Sequence, residues 1–267
     1  MSRLKSCFET LKQNNKKALI PFVTAGDPQP GITVPLMHSM VEAGANVLEL
    51  GIPFSDPMAE GPVIQAACER ALEHHVTLDD VLAMVGEFRI RDSETPVVLM
   101  GYLNPVEVMG YETFAERASQ AGVDGIILVD LPLEEGEALI AALKARELDM
   151  IFLLSPTSTD ERIGTITAIA SGFVYYVSLK GVTGAANLDV GSVQQKLQQI
   201  RSHTDLPVGV GFGIRDADTA RQIAAVADAV VVGSAVVQRV ADNVDDAEKI
   251  TWDITALLAS MRKAMDE

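Results

Sequence analysis

The dominant feature of this sequence is a regular alternation between short apolar runs and amphipathic helical patterns. The runs are rich in β-branched residues and are bounded by Gly, Pro or polar residues, as buried strands are. They cover residues 18–23, 46–50, 96–100, 125–129, 149–154, 173–177, 207–210 and 229–232. Eight parallel strands joined by crossover helices predict an α/β fold, the (β/α)8 TIM barrel. The alternative is an open doubly wound sheet, but the glycine fingerprint expected after its first strand is missing.

An extra helix is predicted at the N-terminus, before the first strand. Residues 2–15 place Leu4, Phe8 and Leu11 on one apolar stripe, so this helix is expected to cover one end of the barrel core. The remaining helical patterns lie at 31–43, 62–73, 78–90, 112–121, 134–146, 160–170, 191–201, 216–226, 234–241 and 246–263. Since no linker or low-complexity stretch divides the chain, we predict one barrel domain over residues 1–267.

The charge balance limits the possible partners. A net charge of −16 disfavours nucleic acid and anionic membrane surfaces, so an anionic small substrate would need a local binding device. Cys7 and Cys68 form no metal or redox motif, which fits a reducing compartment. With no signal-like segment and no apolar run long enough to span a membrane, we expect a cytoplasmic protein.

The strongest catalytic candidate is Glu49, near the carboxyl end of the second predicted strand. Active sites of such barrels lie at the carboxyl ends of the strands, where a buried carboxylate has a shifted pKa. The loop over residues 51–61 then brings a second carboxylate, Glu60. The competing interpretation is that Glu49 pairs with an arginine at the barrel mouth or reaches water.

Glycines after the seventh and eighth strands predict a phosphate site. Gly213 and Gly233 let backbone amides approach a ligand, and a helix beginning near Ser234 adds partial positive charge. Gly184, in the small-residue loop 179–189 that resembles a moving lid, is a further candidate donor. The alternative is that these glycines only form tight turns.

Apolar and aromatic residues share the same rim of the barrel. They are Phe22, Met100, Tyr102, Ile127, Val129, Leu153, Tyr175 and Phe212. Each one alone is typical of a barrel core, but together they predict a pocket for a flat apolar group beside the phosphate. Asp130 adds a polar group there, which either contacts ligand or caps local structure.

The remaining chemistry favours carboxylates. The lysines lie outside the predicted strands, which disfavours a Schiff-base aldolase, and the histidines lack metal-ligand spacing. No nucleotide-binding loop or catalytic Ser or Cys signature occurs. Glu49 and Glu60 are therefore candidates for acid–base work on a substrate that supplies its own electron sink.

At this point a family resemblance becomes specific. Residues 48–62, LELGIPFSDPMAEGP, resemble the signature of the tryptophan synthase alpha subunit. Segments similar in content and order lie at 21–28, 100–105, 129–132, 153–157, 181–185, 211–214 and 232–235. The resemblance therefore spans nearly the whole chain.

The resemblance implies a (β/α)8 lyase of tryptophan biosynthesis that cleaves indole-3-glycerol phosphate to indole and glyceraldehyde 3-phosphate. It implies that Glu49 is the acid–base residue and that the second carboxylate, Glu60, binds the indole N–H. The implied phosphate contacts are Gly184, Gly213, Gly233 and Ser234. The implied indole pocket is Phe22, Met100, Tyr102, Ile127, Val129, Tyr175, Thr183 and Phe212. The family pattern has Asp where this chain has Glu60, and we expect the loop to absorb the extra methylene.

The resemblance also implies a partner, a beta subunit that carries pyridoxal phosphate (PLP) and receives the indole in an alpha2beta2 heterotetramer. No cofactor or metal is expected in this chain itself. The candidate partner contacts are Pro53, Asp56, Pro57, Met58, Asn104 and Pro105. Two alternatives stay open: another phosphate-binding barrel, such as an isomerase or lyase, and a non-catalytic subunit in which Glu60 marks lost function.

Overall fold

The computed structural model of the chain describes residues 2–178, 189–211 and 213–267. Within these residues one parallel sheet contains nine strand segments. They are β1 Ala18–Thr24, β2 Leu48–Gly51, β3 Val97–Gly101, β4 Gly125–Leu128, β5 Asp149–Met150, β6 Phe152–Leu154, β7 Val174–Val177, β8 Val208–Gly211 and β9 Ala229–Val232. In the order β5-β4-β3-β2-β1-β9-β8-β7-β6, consecutive segments of the chain stand at the two ends, so the sheet curves into a nearly closed barrel. The predicted fold class is confirmed.

The fifth predicted strand, residues 149–154, forms as two segments separated by Ile151. The segment β5 pairs with β4, whereas β6 pairs with β7. Between them, the Ile151 amide donates to the Ile126 carbonyl at 2.9 Å, and the Ser171 amide donates to the Met150 carbonyl at 3.0 Å. The strand therefore changes its hydrogen-bonding neighbour midway, which is why nine segments build an eight-stranded barrel.

Twelve α-helices occur in the described part of the chain. They are α1 Arg3–Gln13, α2 Pro30–Glu42, α3 Pro62–Glu73, α4 Leu78–Arg89, α5 Leu103–Met109, α6 Tyr111–Ala121, α7 Glu137–Ala145, α8 Asp160–Ile169, α9 Val190–Arg201, α10 Ala217–Ala224, α11 Ser234–Ala241 and α12 Ala247–Asp266. Eleven of them lie within about three residues of the predicted patterns. The pattern over 134–146 forms as a short 3-10 helix, Leu133–Glu135, followed by α7.

The sequence did not predict α5. Its seven residues are too few to show a helical period, and Pro105 lies within them. The first amide of the helix, on Leu103, donates to the Asp130 carboxylate at 2.8 Å. Asp130 thus fulfils the capping alternative, and the stabilising contact comes from a loop 27 residues away that no local pattern reveals.

The barrel interior is closed at one end by α1. Alternate strand residues point inward and pack with the apolar stripe of that helix, where the Phe8 and Phe173 rings lie 5.7 Å apart. Polar contacts fix the same end, because Ser2 donates to Asp149 at 2.9 Å and Arg3 donates to Asp124 at 3.0 Å. The predicted capping role of the N-terminal helix is confirmed, and the carboxyl ends of the strands face the opposite end.

Candidate active site

Glu49 projects into the barrel interior near the end of β2. It follows Val47 by two residues on the same strand face, and it stands in register with Phe22 of β1 and Val98 of β3. The side chain is only 1% exposed, and within the described residues its Oε2 has no hydrogen-bond partner. Burial first, and then the negative charge of Glu60, raise the pKa of Glu49 to about 8. At neutral pH this carboxyl group therefore carries a proton.

Glu60 approaches the same region from the loop after β2. Its amide donates to the Pro57 carbonyl at 3.0 Å, and its carbonyl accepts from Gln65 of α3 at 2.9 Å, so the backbone is held on both sides. Burial raises the pKa of Glu60 to about 7. Because its charge also raises the pKa of Glu49 and Tyr175, the Glu60 carboxyl lies near the barrel interior. The site combines a protonated carboxyl with one poised between its two forms.

Tyr102 ties the loop that carries Glu60 to the end of β3. Its hydroxyl oxygen accepts from the Ala59 amide at 3.0 Å, and its ring stacks on Phe54 with centroids 5.0 Å apart. Burial raises the pKa of Tyr102 to about 12, so it remains a neutral hydroxyl. The sequence did not single out Phe54, although an aromatic residue between two prolines of a candidate loop was a usable signal.

The described members of the predicted apolar pocket gather around these carboxyl groups. Phe22, Met100, Ile127, Val129, Leu153 and Tyr175 belong to the inward-facing clusters. Glycine makes room for the largest of them, because a Cβ built on Gly211 would lie 2.1 Å from the Tyr175 hydroxyl oxygen. The Tyr175 ring therefore occupies space that any other residue at position 211 would fill.

Of the two described glycines of the predicted phosphate site, Gly233 lies beside this pocket. Gly233 caps α11, and its carbonyl accepts from the Val236 amide at 2.8 Å, so the preceding amides at Ser234 and Ala235 face out of the helix end. A Cβ built on Gly233 would lie 4.0 Å from the Cβ of Phe22, which places the turn next to the pocket. Gly213 is exposed and has φ +78°, a conformation that favours glycine.

Three predicted contacts, Thr183, Gly184 and Phe212, lie outside the described residues, as do positions 179–188 of the predicted lid.

The predicted partner contacts lie on the loop after β2 and on the short helix α5 that follows β3. Asp56, Met58 and Asn104 are exposed, Pro57 and Pro105 are half-buried, and Pro53 is buried. Met58 is 82% exposed, and so is Val108 of α5, which the sequence did not single out because α5 itself was not predicted. Two large apolar side chains in water beside the site mark a candidate interaction surface.

Thr24 and Cys68 also line the small cavity below the Glu60 loop, together with Phe22, Glu60, Met100 and Tyr102. Both were missed. For Thr24 a signal existed, because it follows Phe22 by two residues and so shares its strand face. In the described part of the chain, no three His, Cys, Asp or Glu side chains gather as a metal site would require, and no helix there is long and apolar enough to cross a membrane.

Comparison with known proteins decides the family. The family model described as "Tryptophan synthase alpha chain" matches residues 8–266. The chain belongs to the tryptophan synthase alpha chain family. Among its relatives, the alpha chain of Thioalkalivibrio sulfidiphilus is 64% identical over 100% of both chains, and that of Nitrosococcus oceani is 60% identical over 100% of this chain and 98% of its own.

Solved structures of the family agree with the fold. The subunit alpha of tryptophan synthase from Legionella pneumophila superposes with a TM-score of 0.93 at 48% identity, covering 100% of this chain and 99% of that one. A tryptophan synthase chain from M. tuberculosis, in an aminoacrylate-bound form, gives a TM-score of 0.88 at 34% identity over 99% of this chain and 100% of its own. As an alpha chain, the protein is a lyase that cleaves indole-3-glycerol phosphate in tryptophan biosynthesis.

Membership in this family also bears on the cofactor and the partner of the chain. The alpha chain family works without a cofactor of its own, and the designation as an alpha chain implies a beta-subunit partner.

Proposed function

We propose that Glu49 is the acid–base residue of the cleavage and that Glu60 accepts the indole N–H hydrogen bond. The observation that carries this assignment is the buried Oε2 of Glu49 at the carboxyl end of β2, which faces the barrel interior and has no hydrogen-bond partner among the described residues. A pKa of about 8 for Glu49 and about 7 for Glu60 gives the two carboxyl groups different resting states near neutral pH. Pairs whose environments separate their pKa values divide acid and base roles in this way.

The proposed reaction moves one proton to the substrate and one proton back. Protonated Glu49 gives its proton to the indole ring carbon that bears the glycerol phosphate side chain, and the ring becomes electron-poor. The carbon–carbon bond then breaks, its electron pair returns to the ring, and the adjacent side-chain hydroxyl becomes the aldehyde. The proton of that hydroxyl returns to Glu49. Ionised Glu60 accepts from the indole N–H, whose acidity rises when the ring carries positive charge.

Substrate binding divides between two described surfaces. We propose that the ring lies among Phe22, Met100, Ile127, Val129 and Tyr175, under Tyr102. The phosphate contacts the amides at Gly213, Gly233 and Ser234, with partial positive charge from the start of α11. Thr183, Gly184 and Phe212 remain proposed contacts on the strength of the sequence alone. The 4.0 Å separation between the Gly233 Cβ position and Phe22 supports one continuous site.

The beta subunit is proposed to dock on the loop after β2 and on α5. Exposed Met58 and Val108 support this surface, together with Asp56, Pro57, Asn104 and Pro105. Pro53 is buried and would stiffen the loop from below. Since Met58 and Glu60 share one loop, docking would stabilise the working position of Glu60 and increase turnover. We further propose PLP in that partner and an alpha2beta2 assembly.

Two broader assignments complete the proposal. Residues 1–267 form one domain, which the single sheet shared by all described strands supports. The protein works in the cytoplasm, which the free thiols of Cys7 and Cys68 support.

The direct test measures indole released from indole-3-glycerol phosphate by the native chain, Glu49→Gln and Glu60→Asp, each with and without a beta subunit. We expect Glu49→Gln to abolish release and Glu60→Asp to change it by less than about tenfold. Faster release in the presence of the beta subunit is expected for the native chain. Full activity of Glu49→Gln would overturn the assignment, and equal turnover with and without partner would overturn the stimulation.

A further inference from the structure

Thr24 carries a buried hydroxyl group that has no partner in the described part of the chain. It is the last residue of β1, it is 2% exposed, and its Oγ1 makes no hydrogen bond there. Other buried threonines differ, because the Thr33 hydroxyl accepts from the Gly26 amide at 2.9 Å and the Thr167 hydroxyl donates to the Ile163 carbonyl at 2.9 Å. An unpaired buried hydroxyl is costly, so its retention calls for a partner that the ligand-free protein lacks.

The backbone places this hydroxyl one layer above Glu49. Thr24 stands in register with Gly51, two residues beyond the pair Phe22 and Glu49, and so on the same inward face. Gly51 has no side chain, and the Phe22 ring occupies the space beside it, since a Cβ built on Gly51 would lie 2.6 Å from that ring. Thr24 and Glu60 line one small cavity there, and Glu60 is the residue with a carboxyl group among those that line it.

The surroundings narrow the choice of hydrogen-bond donor for Glu60. The titratable groups that face it are Glu49 of β2, Cys68 of α3, Tyr102 after β3 and Tyr175 of β7, and all of them are acids. The Tyr102 hydroxyl oxygen already accepts from the Ala59 amide, and the Cys68 sulfur is hydrogen-bonded to the backbone of Phe54. Among the hydroxyl and thiol groups of the described side chains lining the cavity, the Thr24 hydroxyl is the one that makes no hydrogen bond there.

We infer that Thr24 is a positioning residue whose hydroxyl donates to one oxygen of the Glu60 carboxylate when substrate fills the site. The second carboxylate oxygen is then directed at the indole N–H. This inference rests on the proposed role of Glu60. A donor fixed on a strand compensates for the additional rotatable bond of Glu60 relative to the Asp of the family pattern, since it selects one orientation of the longer side chain.

The first test compares Thr24→Val, which keeps the shape and removes the hydroxyl, with Thr24→Ser, which keeps the hydroxyl. A matched control is Thr167→Val, which removes a buried hydroxyl of α8 outside the site. With the beta subunit present, we expect Thr24→Val to lower kcat about tenfold with little change in KM, and Thr24→Ser to stay within about threefold of native. Equal losses in the Val and Ser variants would overturn the inference, because a packing role would produce them.

The pH profile of kcat supplies a readout that packing does not move. A hydroxyl that donates to the carboxylate favours its charged form, so its removal makes Glu60 harder to ionise. The acidic limb of the profile is expected to shift upward by about one pH unit in Thr24→Val and to stay in place in Thr24→Ser and Thr167→Val. An unmoved limb in Thr24→Val would contradict the inference.

Thermal unfolding of the ligand-free chain gives an independent check. Since valine removes a buried hydroxyl that has no partner in the described structure, and leaves no cavity, Thr24→Val should raise the Tm by about 2 to 6 °C while slowing turnover. Thr167→Val loses a made hydrogen bond and should not gain stability. A lowered Tm in Thr24→Val would show that the hydroxyl is already paired in the free protein, against the inference.

The variant Glu60→Gln distinguishes the proposed role of Glu60 from the inferred role of Thr24. If it removes the acidic limb while Thr24→Val leaves that limb unmoved, Glu60 keeps its role and Thr24 loses its own. If Glu60→Gln leaves both rate and profile unchanged, the proposed function of Glu60 fails.

Discussion

Each end of the barrel contains a buried carboxyl group, and the two groups differ in their hydrogen bonds. At the end closed by α1, Asp124 is 4% exposed and accepts hydrogen bonds from Arg89 at 2.8 Å, from the Val97 amide at 2.8 Å and from Arg3 at 3.0 Å. At the other end, Glu49 is 1% exposed and leaves its Oε2 without a partner in the described structure. A satisfied buried carboxylate stabilises the fold, whereas an unsatisfied one is available for a substrate.

This difference in hydrogen bonding also affects the pKa of the two carboxyl groups. Burial raises the pKa of both carboxyl groups, but at Asp124 the hydrogen bonds from Val97 and Arg3 and the charge of Arg89 oppose that rise, whereas at Glu49 the charge of Glu60 adds to it. Burying Glu49 lowers the stability of the fold at one end of the barrel, and the hydrogen bonds of Asp124 raise it at the other end. Substitutions at the two positions can therefore measure the two effects separately.

The largest expected effect concerns activity. Glu49→Gln should lower cleavage of indole-3-glycerol phosphate by about 10³-fold or more, since it removes proton transfer at the ring carbon. Asp124→Asn, corrected for the folded fraction, should keep native turnover because it lies at the closed end. Indole release measured with the beta subunit present checks both variants. A comparable loss of activity in the two would contradict the claim that only the open end of the barrel carries out the reaction.

The next effect concerns stability and reverses the order of the two variants. Asp124→Asn leaves the guanidinium of Arg89 without its charged partner, so the free energy of unfolding should fall by about 4 kcal/mol. Urea unfolding measures it. The exposed pair Glu116 and Arg146 offers a matched control, where Glu116→Gln should change stability by less than about 0.5 kcal/mol. Equal costs for Asp124→Asn and Glu116→Gln would show that burial adds nothing at Asp124.

The pH dependence of stability should carry the signature of Glu49. Its folded pKa, about 8, lies above the unfolded value, so the unfolded chain ionises first as pH rises and stability is lost through that window. Between pH 4.5 and 6.5 the native chain should lose roughly 2 kcal/mol relative to Glu49→Gln. Urea unfolding at several pH values gives both curves. If their difference stays constant across that range, Glu49 ionises in the folded protein as it does in the unfolded chain.

The smallest effect tests the network at the closed end. The Arg3 side chain is 37% exposed, whereas that of Arg89 is 11% exposed, although both contact Asp124. Arg3→Met should therefore cost only about 1 kcal/mol of unfolding free energy. Arg89→Met, measured in the same urea titration, serves as the comparison and should cost more. The reverse order would mean that exposure does not govern these two pairs.

The sequence predicted most of the barrel because its signals are local. Strand and helix periods and the apolar stripe of α1 all lie within short windows, and they located eleven of the twelve described helices. The missed helix, α5, is capped by Asp130, and the broken fifth strand changes its pairing at Ile151. Both depend on contacts between distant segments, which no local pattern contains.

The site followed the same rule. The buried position of Glu49 was predictable because a charge in a buried strand is conspicuous in the sequence, whereas its role remains a proposal that the family motif supports. Thr24 was missed although it shares the strand face of Phe22, because a threonine at a strand end stands out only when the structure shows that its buried hydroxyl has no partner among the described residues. Val108 was missed because its exposure depends on the unpredicted α5.

The central claim is that Glu49 is protonated at neutral pH in the free protein, unlike an ordinary carboxylate. Infrared difference spectroscopy of the protonated carboxyl band, titrated from pH 5 to 9 in the native chain and in Glu49→Gln, tests it directly. The account predicts a band that titrates near pH 8 in the native chain and is absent in Glu49→Gln. A native chain whose protonated carboxyl bands have all vanished below pH 6 would contradict the account.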